Sequence, residues 1–235
     1  MNNFKLSQQT FVLCNVCDKE LLAKEITERG GTYYNYAQAA SSEKSQVTYV
    51  MDDFEQPLFT ELCKRGAHII GTSILEDAMR NNHQLPSTGH PILCRALEGK
   101  TFAFSTMPPH VKAGLHTRLT FMGGICVPTF DQSVDYLITP RVGSVNYKLA
   151  CKLGVPVLHP LYIQRCWEAR KQLPIDDFKL PPFAGLMISV TGFSQAMRAQ
   201  LQQLVEGHGG VYTPHLSKRC THLLSKSTLG LKFRY

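Results

Sequence analysis

The second half of the chain repeats an earlier part of it at a constant spacing of 86 residues. The matched positions carry identical or chemically related residues and align without a gap: Thr191 with Ser105, Arg198 with Lys112, Gly209-Gly210 with Gly123-Gly124, Pro214 with Pro128, Leu223 with Leu137, Lys232 with Asn146 and Phe233 with Tyr147. Solenoid and propeller units are only about 20 to 50 residues long, so this repeat corresponds to a whole small domain. We therefore expect copies of one module, with function in the residues that each copy keeps or loses.

The size and charge of the chain limit the class of protein but do not identify its partner. A chain of 235 residues has room for about two to three domains of this size. The formal charge of +7 suits an anionic partner, which could be nucleic acid, a membrane surface or a phosphorylated protein. However, the chain has no Lys/Arg-rich run of the kind that marks a nucleic-acid patch. It also has no apolar run long enough to span a membrane and no signal-peptide pattern at residues 1–5, so we expect an intracellular protein with no membrane partner.

The chain has eight cysteines, which we expect to be reduced and structural. Only Cys14 and Cys17 have the Cys-x-x-Cys spacing, and no second pair completes a zinc site. No glycine-rich nucleotide loop, paired carboxylates or Cys/His constellation stands out. The sequence therefore predicts no metal, no cofactor and no catalytic residues, and it points to a protein that is not an enzyme.

Hydrophobic patterns predict an α/β fold with predominantly parallel sheets and helices on both faces. The order predicted for the first copy is β-α-β-β-α-β-α. Three of its four strands are predicted at 11–14, 47–51 and 68–70, with helices at 18–29, 54–65 and 73–81 and a polar loop at 38–46, and no residues are assigned to the second strand. The second copy has strands at 100–104, 134–139 and 155–158, helices at 143–153 and from Pro108-Pro109, and a last helix from Pro160 that carries Trp167. We expect Tyr162, Trp167 and Phe183 to be core anchors.

These patterns divide the chain into modules at 8–97, 98–175 and 183–235. The third copy ends inside what would be its second helix, and it lacks the last strand and helix of the second copy. The expectation is therefore a truncated last module in a chain that is a fragment of a longer protein.

Four motifs together resemble the BRCT module: Thr191-Gly192, Gly209-Gly210, Thr221-His222-Leu223 and, in the second copy, Trp167. The resemblance implies tandem modules, each with a small, mostly parallel four-stranded sheet flanked by helices. It also implies binding of phosphoserine or phosphothreonine in partner proteins.

Three such modules, the first degenerate, are similar to the arrays of checkpoint scaffolds of the topoisomerase-II-binding type. Val142-Gly143-Ser144 with Tyr147, and Val190-Thr191-Gly192, favour this comparison. The comparison implies a scaffold that acts in the nucleus in DNA replication and the DNA-damage checkpoint. Residues 179–183, by contrast, look as much like the array of Rho guanine-nucleotide exchange factors of the epithelial cell transforming type. Regulation of an exchange factor, and direct association with DNA or chromatin through the basic surface, remain the alternatives.

A phosphorylated side chain carries about −1.5 to −2 charges and three acceptor oxygens. A site for it needs a hydroxyl, a free backbone N–H near a helix N-terminus and a cation. The resemblance places these groups in the third copy at Thr191, Gly192 and Lys232, with Arg198 as a second cation.

The second copy has a weaker version of this set. Ser105 supplies a hydroxyl and Lys112 a cation, but Thr106 replaces the glycine and Asn146 replaces the lysine. Lys148 is a poor substitute, because two residues turn a helix by about 200°. The second copy is thus either a weakened pocket or a structural module.

The first copy has apolar residues where the hydroxyl is expected, at 12–14, and no matching lysine. Met79 takes the position of Trp167. We expect this copy to keep its core, to lack the site and to serve as a packing partner for the second copy.

Overall fold

The computed structural model describes Leu6 and residues 9–36, 47–229 and 231–234, so the loop expected at 38–46 lies outside the described residues. The chain divides into two compact units. Unit 1 comprises residues 1–99, 117–124 and 166–172, and unit 2 comprises residues 100–116, 125–165 and 173–235. Within the described residues, no helix combines the length and apolar character needed to cross a bilayer.

The first sheet has four parallel strands in the order β2-β1-β3-β4. Its elements are β1 (Thr10–Cys14), α1 (Lys19–Glu28), β2 (Thr32–Asn35), β3 (Val47–Met51), α2 (Pro57–Lys64), β4 (His68–Gly71) and α3 (Thr72–Asn81). The described residues thus confirm the predicted order β-α-β-β-α-β-α. Helix α2 begins at Pro57 rather than Phe54, because a proline in the first turn lacks only an N–H that would have no partner there.

The second sheet repeats this arrangement, with parallel strands in the order β6-β5-β7-β8. Its elements are β5 (Thr101–Phe104), α4 (Pro109–Phe121), β6 (Ile125–Val127), β7 (Tyr136–Ile138), α5 (Val145–Leu153), β8 (Val157–Leu158) and α6 (Leu161–Ala169). Gly154 ends α5 in the left-handed conformation, with a φ of 71°, as expected of a glycine after the last helical turn.

The third sheet has three parallel strands among the described residues, in the order β10-β9-β11. Its elements are β9 (Met187–Thr191), α7 (Gln195–Gly207), β10 (Val211–Thr213) and β11 (His222–Ser225), and a short 3₁₀ helix follows at Leu231–Phe233. The predicted fold class, small parallel sheets flanked by helices, is confirmed. The boundaries of the modules along the chain stay a prediction.

Most of the expected core residues are buried, with one exception. Met79 is 1% exposed and belongs to the core of unit 1 with Phe11, Leu13, Ile26 and Leu75. Tyr162 is fully buried in unit 2, where its ring lies 5.4 Å from that of Phe178. The prediction that Phe183 is a core anchor was wrong: it is only half-buried, against the ring of His208.

Unit 1 also contains a cluster of aromatic side chains from four segments of the chain. Phe54 stacks on Phe59 with ring centroids 4.3 Å apart, and Phe121 meets both rings edge-on at 5.4 and 5.5 Å. Trp167 lies 6.3 Å from Phe121, and its indole Nε1–H donates to Glu55 Oε1 at 3.1 Å. Trp167 is therefore an anchor of unit 1, held by an apolar contact on its ring and a hydrogen bond on its polar atom.

We expect Trp167→Ala to destabilise unit 1 by about 3–5 kcal/mol, because the large ring leaves a cavity and Glu55 loses a donor. Urea denaturation followed by circular dichroism measures the change. Leu161→Ala, on the same helix but at a side chain 45% exposed, is the matched control and should cost less than about 1 kcal/mol. Equal losses for the two variants would contradict the role given to Trp167.

Candidate functional site

A residue with a left-handed backbone lies just after the first strand of each sheet: Asn15 and Gly192 directly follow β1 and β9, and Thr106 is the second residue after β5. The φ angles are 50° at Asn15, 56° at Thr106 and 79° at Gly192. This conformation carries a steric cost for every residue except glycine. Its recurrence with three different side chains shows that the fold imposes the turn. The turn also aligns Cys14, Ser105 and Thr191 as the equivalent last residues before it.

In the second module, hydrogen bonds join the end of β5 to the N-terminus of α5. The Ser105 hydroxyl donates to Ser144 Oγ at 3.1 Å and lies 3.0 Å from Thr106 Oγ1. Ser144 is the N-cap of α5 and accepts from the backbone N–H of Tyr147 at 3.0 Å. Because helix N-termini favour negative charge, this cluster of hydroxyl groups lies where an anion is stabilised.

The other residues proposed for this pocket lie on the flanking helices. Asn146 is in the first turn of α5, two residues after the Ser144 cap. Lys112 is in the first turn of α4, where its backbone N–H donates to Pro108 O at 3.0 Å, and its charge partly offsets the burial that raises the pKa of Cys126. The structure thus joins Ser105, Thr106 and Ser144 by hydrogen bonds but shows no such bond for Lys112 or Asn146 among the described side chains.

In the third module, Thr191 ends the central strand β9 and pairs with Ser225 of β11. The Thr191 carbonyl accepts the backbone N–H of Lys226 at 3.2 Å. Ser194 then caps α7 by accepting from Met197 N at 3.4 Å. The strand-end hydroxyl, left-handed Gly192 and a capped helix N-terminus therefore follow one another within four residues.

The two cations predicted for this pocket have intramolecular partners. Arg198 is exposed, and its Nε donates to Phe193 O at 3.0 Å. Lys232 Nζ donates to Pro214 O at 2.5 Å. Lys232 also lines a cavity of about 930 Å³, whose described lining comes from the 215–223 segment and Phe233 and does not include Thr191. The assignment of Lys232 and Arg198 to a common site with Thr191 stays a prediction.

The first module holds a carboxylate of its own at the equivalent corner. Asp52 Oδ2 accepts the backbone N–H of Cys17 at 2.7 Å, and Asp52 Oδ1 accepts from the Thr72 hydroxyl. The same carboxylate raises the pKa of the Cys17 thiol through a hydrogen bond and its charge. At the strand end, burial raises the pKa of Cys14 to about 11, so the residue there is a neutral thiol.

Sequence reasoning missed two residues of these corners. Ser144 had a usable signal, because a serine directly before an apolar helical run is a typical N-cap. Asp52 had no usable signal in the sequence, because its hydrogen bond to Cys17 joins positions 35 residues apart.

Family profiles match two parts of the chain. The profile of the BRCA1 C Terminus (BRCT) domain matches residues 94–167, and that of the twin BRCT domain matches residues 186–235. The chain contains BRCT domains.

Two known proteins are similar to part of the chain. Human Protein ECT2 is 26% identical over 197 residues, which cover 80% of this chain and 22% of ECT2. The S-M checkpoint control protein rad4 of Schizosaccharomyces pombe is 24% identical over 151 residues, which cover 60% of this chain and 23% of rad4. The chain thus spans less than a quarter of the length of these relatives.

Two solved structures share the BRCT fold with the chain. The structure of Rad4 BRCT1,2 in complex with a Crb2 phosphopeptide matches the chain with a TM-score of 0.53 and 22% sequence identity. The matched region covers 60% of this chain and 82% of the solved chain. Rad4 BRCT1,2 in complex with a Mdb1 phosphopeptide has a TM-score of 0.54 and 23% identity over the same shares. At this identity the comparison establishes the fold.

Ser144→Ala should destabilise the second BRCT module by about 1 kcal/mol, because α5 loses its N-cap and Ser105 loses its acceptor. The free energy of unfolding in urea measures the effect. Ser87→Ala, at an exposed serine outside helices and strands, is the control and should leave that free energy within about 0.5 kcal/mol of the wild type. An unchanged stability in Ser144→Ala would contradict the capping role.

The Cys14 thiol should resist alkylation in the folded protein, because it is 1% exposed and its pKa is raised to about 11. The thiolate is the reactive form, and little of it exists at pH 8. Mass spectrometry after iodoacetamide treatment at pH 8 should find exposed Cys151 modified and Cys14 intact, with both modified in urea. Modification of Cys14 at the rate of Cys151 without denaturant would show that the strand end is open.

Proposed function

We propose that this protein is a non-enzymatic BRCT scaffold that binds phosphoserine or phosphothreonine motifs of partner proteins. The observation that carries the proposal is the corner at the end of each central strand in the second and third modules. In the second module a hydroxyl side chain next to a left-handed residue is hydrogen-bonded to the N-cap of the second helix, α5. In the third module a hydroxyl side chain and a left-handed residue precede the capped N-terminus of the first helix, α7. Hydroxyl and backbone N–H donors at a helix N-terminus suit the oxygens of a phosphoryl group.

The third module is the principal pocket in this proposal. Thr191 supplies the hydroxyl, Gly192 the backbone approach, and Arg198 and Lys232 the positive charge. Binding requires Lys232 to exchange the Pro214 carbonyl for a phosphate oxygen, which replaces a neutral acceptor with a charged one.

The second module is the weaker pocket, formed by Ser105, Thr106, Lys112 and Asn146. Asn146 donates a hydrogen bond without a charge. Loss of a charge-assisted bond of about 1.5–3 kcal/mol lowers affinity roughly tenfold or more.

The partners we propose are phosphorylated proteins of DNA replication and the DNA-damage checkpoint, encountered in the nucleus. The similarity to the checkpoint control protein rad4, whose BRCT1,2 pair has been solved with Crb2 and Mdb1 phosphopeptides, supports this context.

A second candidate function is regulation of a Rho guanine-nucleotide exchange factor by the BRCT array. The match to Protein ECT2 over 80% of the chain favours it. The complete reading frame distinguishes the candidates, because an exchange-factor catalytic domain in the same protein would support this second function.

Phosphopeptide binding is tested by passing a degenerate library of phosphoserine and phosphothreonine peptides, and its unphosphorylated twin, over the immobilised 235-residue chain. We expect retention of phosphorylated peptides only. Fluorescence polarisation of the strongest peptide should then show at least a tenfold loss of affinity in Thr191→Ala and Lys232→Glu, and a smaller loss in Ser105→Ala.

Equal retention of the phosphorylated and unphosphorylated libraries would contradict the proposal. Duplex DNA serves as a third probe: sequence-independent binding that falls steeply with salt, together with equal retention of the libraries, would indicate a DNA-binding module instead.

A further inference from the structure

One position beside the strand-end corner carries a different charge in each module. Strand pairing places Cys14 against Met51 and Thr191 against Ser225, and in the second module the pairing of Phe104 with Ile138, continued by one residue, places Ser105 against Thr139. The next residue along the neighbouring strand is therefore Asp52 in the first module, Pro140 in the second and Lys226 in the third. These three residues have equivalent places in the fold.

The first module shows what a side chain at this position can reach. The Asp52 carboxylate accepts the Cys17 N–H, which belongs to the loop between the central strand and the first helix. A negatively charged group thus lies against the loop amide that follows the left-handed residue. Because this corner already holds an internal anion, a phosphoryl group would meet a like charge there.

In the third module, Lys226 lies directly beside the residues proposed to hold phosphate. Its backbone N–H donates to Thr191 O at 3.2 Å. A Cβ placed on Gly192 would lie 3.2 Å from Lys226 Cβ, so the two backbones approach closely where the turn lacks a side chain. Lys226 is exposed, and within the described part of the chain its ammonium group has no carboxylate partner.

Lys232 and Arg198 are less well placed than Lys226 to bind a phosphoryl group. Lys232 donates to Pro214 O and Arg198 donates to Phe193 O, so each must leave a backbone carbonyl before it can bind an anion. Lys226 has no such bond to break among the described residues. Its Cβ is already fixed next to the Thr191–Gly192 turn by the β9–β11 pairing.

We propose that Lys226 is a phosphate-contacting cation of the third module and that the residue at this position sets the anion affinity of each module. This inference rests on the proposed phosphopeptide function. It assigns opposite roles to equivalent residues: Asp52 excludes a phosphoryl group from the first module, Lys226 attracts one to the third, and Pro140 leaves the second module without a charge at this position.

The test uses the full chain and the phosphopeptide that the library selects, with its unphosphorylated form, in fluorescence polarisation at two salt concentrations. Lys226→Met should weaken phosphopeptide binding about tenfold or more, and Lys226→Arg should retain most of it. Lys171→Met is the matched control, because Lys171 is an exposed lysine outside the third module and gives the same change of charge, and it should change affinity less than twofold. Circular dichroism confirms that each variant is folded.

The outcomes separate the two proposals. If the wild type discriminates between the peptides and Lys226→Met binds as tightly as the wild type, the role of Lys226 is overturned while the phosphopeptide function stands. Equal losses in Lys226→Met and Lys171→Met would also overturn it, because they would reflect net charge rather than contact. If the wild type does not discriminate, the phosphopeptide function fails and the inference fails with it.

Discussion

Parallel pairing of each central strand with a neighbour on both sides is the interaction on which the candidate sites depend. Strands β1, β5 and β9 all occupy this central place. Because parallel strands run in the same direction, their carboxyl ends meet at one edge of the sheet, where loops can collect side chains from distant parts of the sequence. The Thr191–Ser225 pair and the Lys226 N–H on the Thr191 carbonyl both follow from this register.

The register also explains how one backbone carries three different chemistries. At the strand end the modules have a buried thiol, a hydroxyl bonded to the helix cap, and a half-buried threonine. At the position after the neighbouring strand, the three modules have Asp52, Pro140 and Lys226. The sheet order β2-β1-β3-β4 of the first module and β6-β5-β7-β8 of the second are equivalent, so these exchanges alter the corner without altering the fold. In the first module the corner contains a carboxylate of its own, Asp52, whose two acceptor bonds are made within the module.

What the sequence could predict was decided by the range of the interactions involved. Strands such as Val47–Met51 and helices such as Thr72–Asn81 were predicted closely, because apolar periodicity and β-branched residues act within a few positions. The start of α2 was missed because Phe54 continues the apolar pattern, although it stacks on Phe59 from outside the helix. The place of Trp167 in unit 1, beside Glu55, depends on a contact between residues 112 positions apart, and no local pattern encodes it. The same holds for the bond of Lys232 to Pro214. The pocket residues inferred from the repeat and the BRCT resemblance stay a prediction.

The left-handed turn cannot by itself distinguish a module that binds phosphate from one that does not. All three modules have this turn, and Thr106 maintains it at a steric cost that Gly192 avoids. The charge beside the turn differs among the three modules, which have Asp52, Pro140 and Lys226 at that position. Two unit charges about 4 Å apart interact by about 4 kcal/mol at an effective dielectric constant near 20, and the sign reverses between a carboxylate and an ammonium group. A change of Asp for Lys at one position therefore turns repulsion of a phosphoryl group into attraction, whereas the left-handed turn is present in all three modules. On the proposal made above, the recognition capacity of a BRCT module in this chain depends more on the residue after its third strand than on the shape of its first turn.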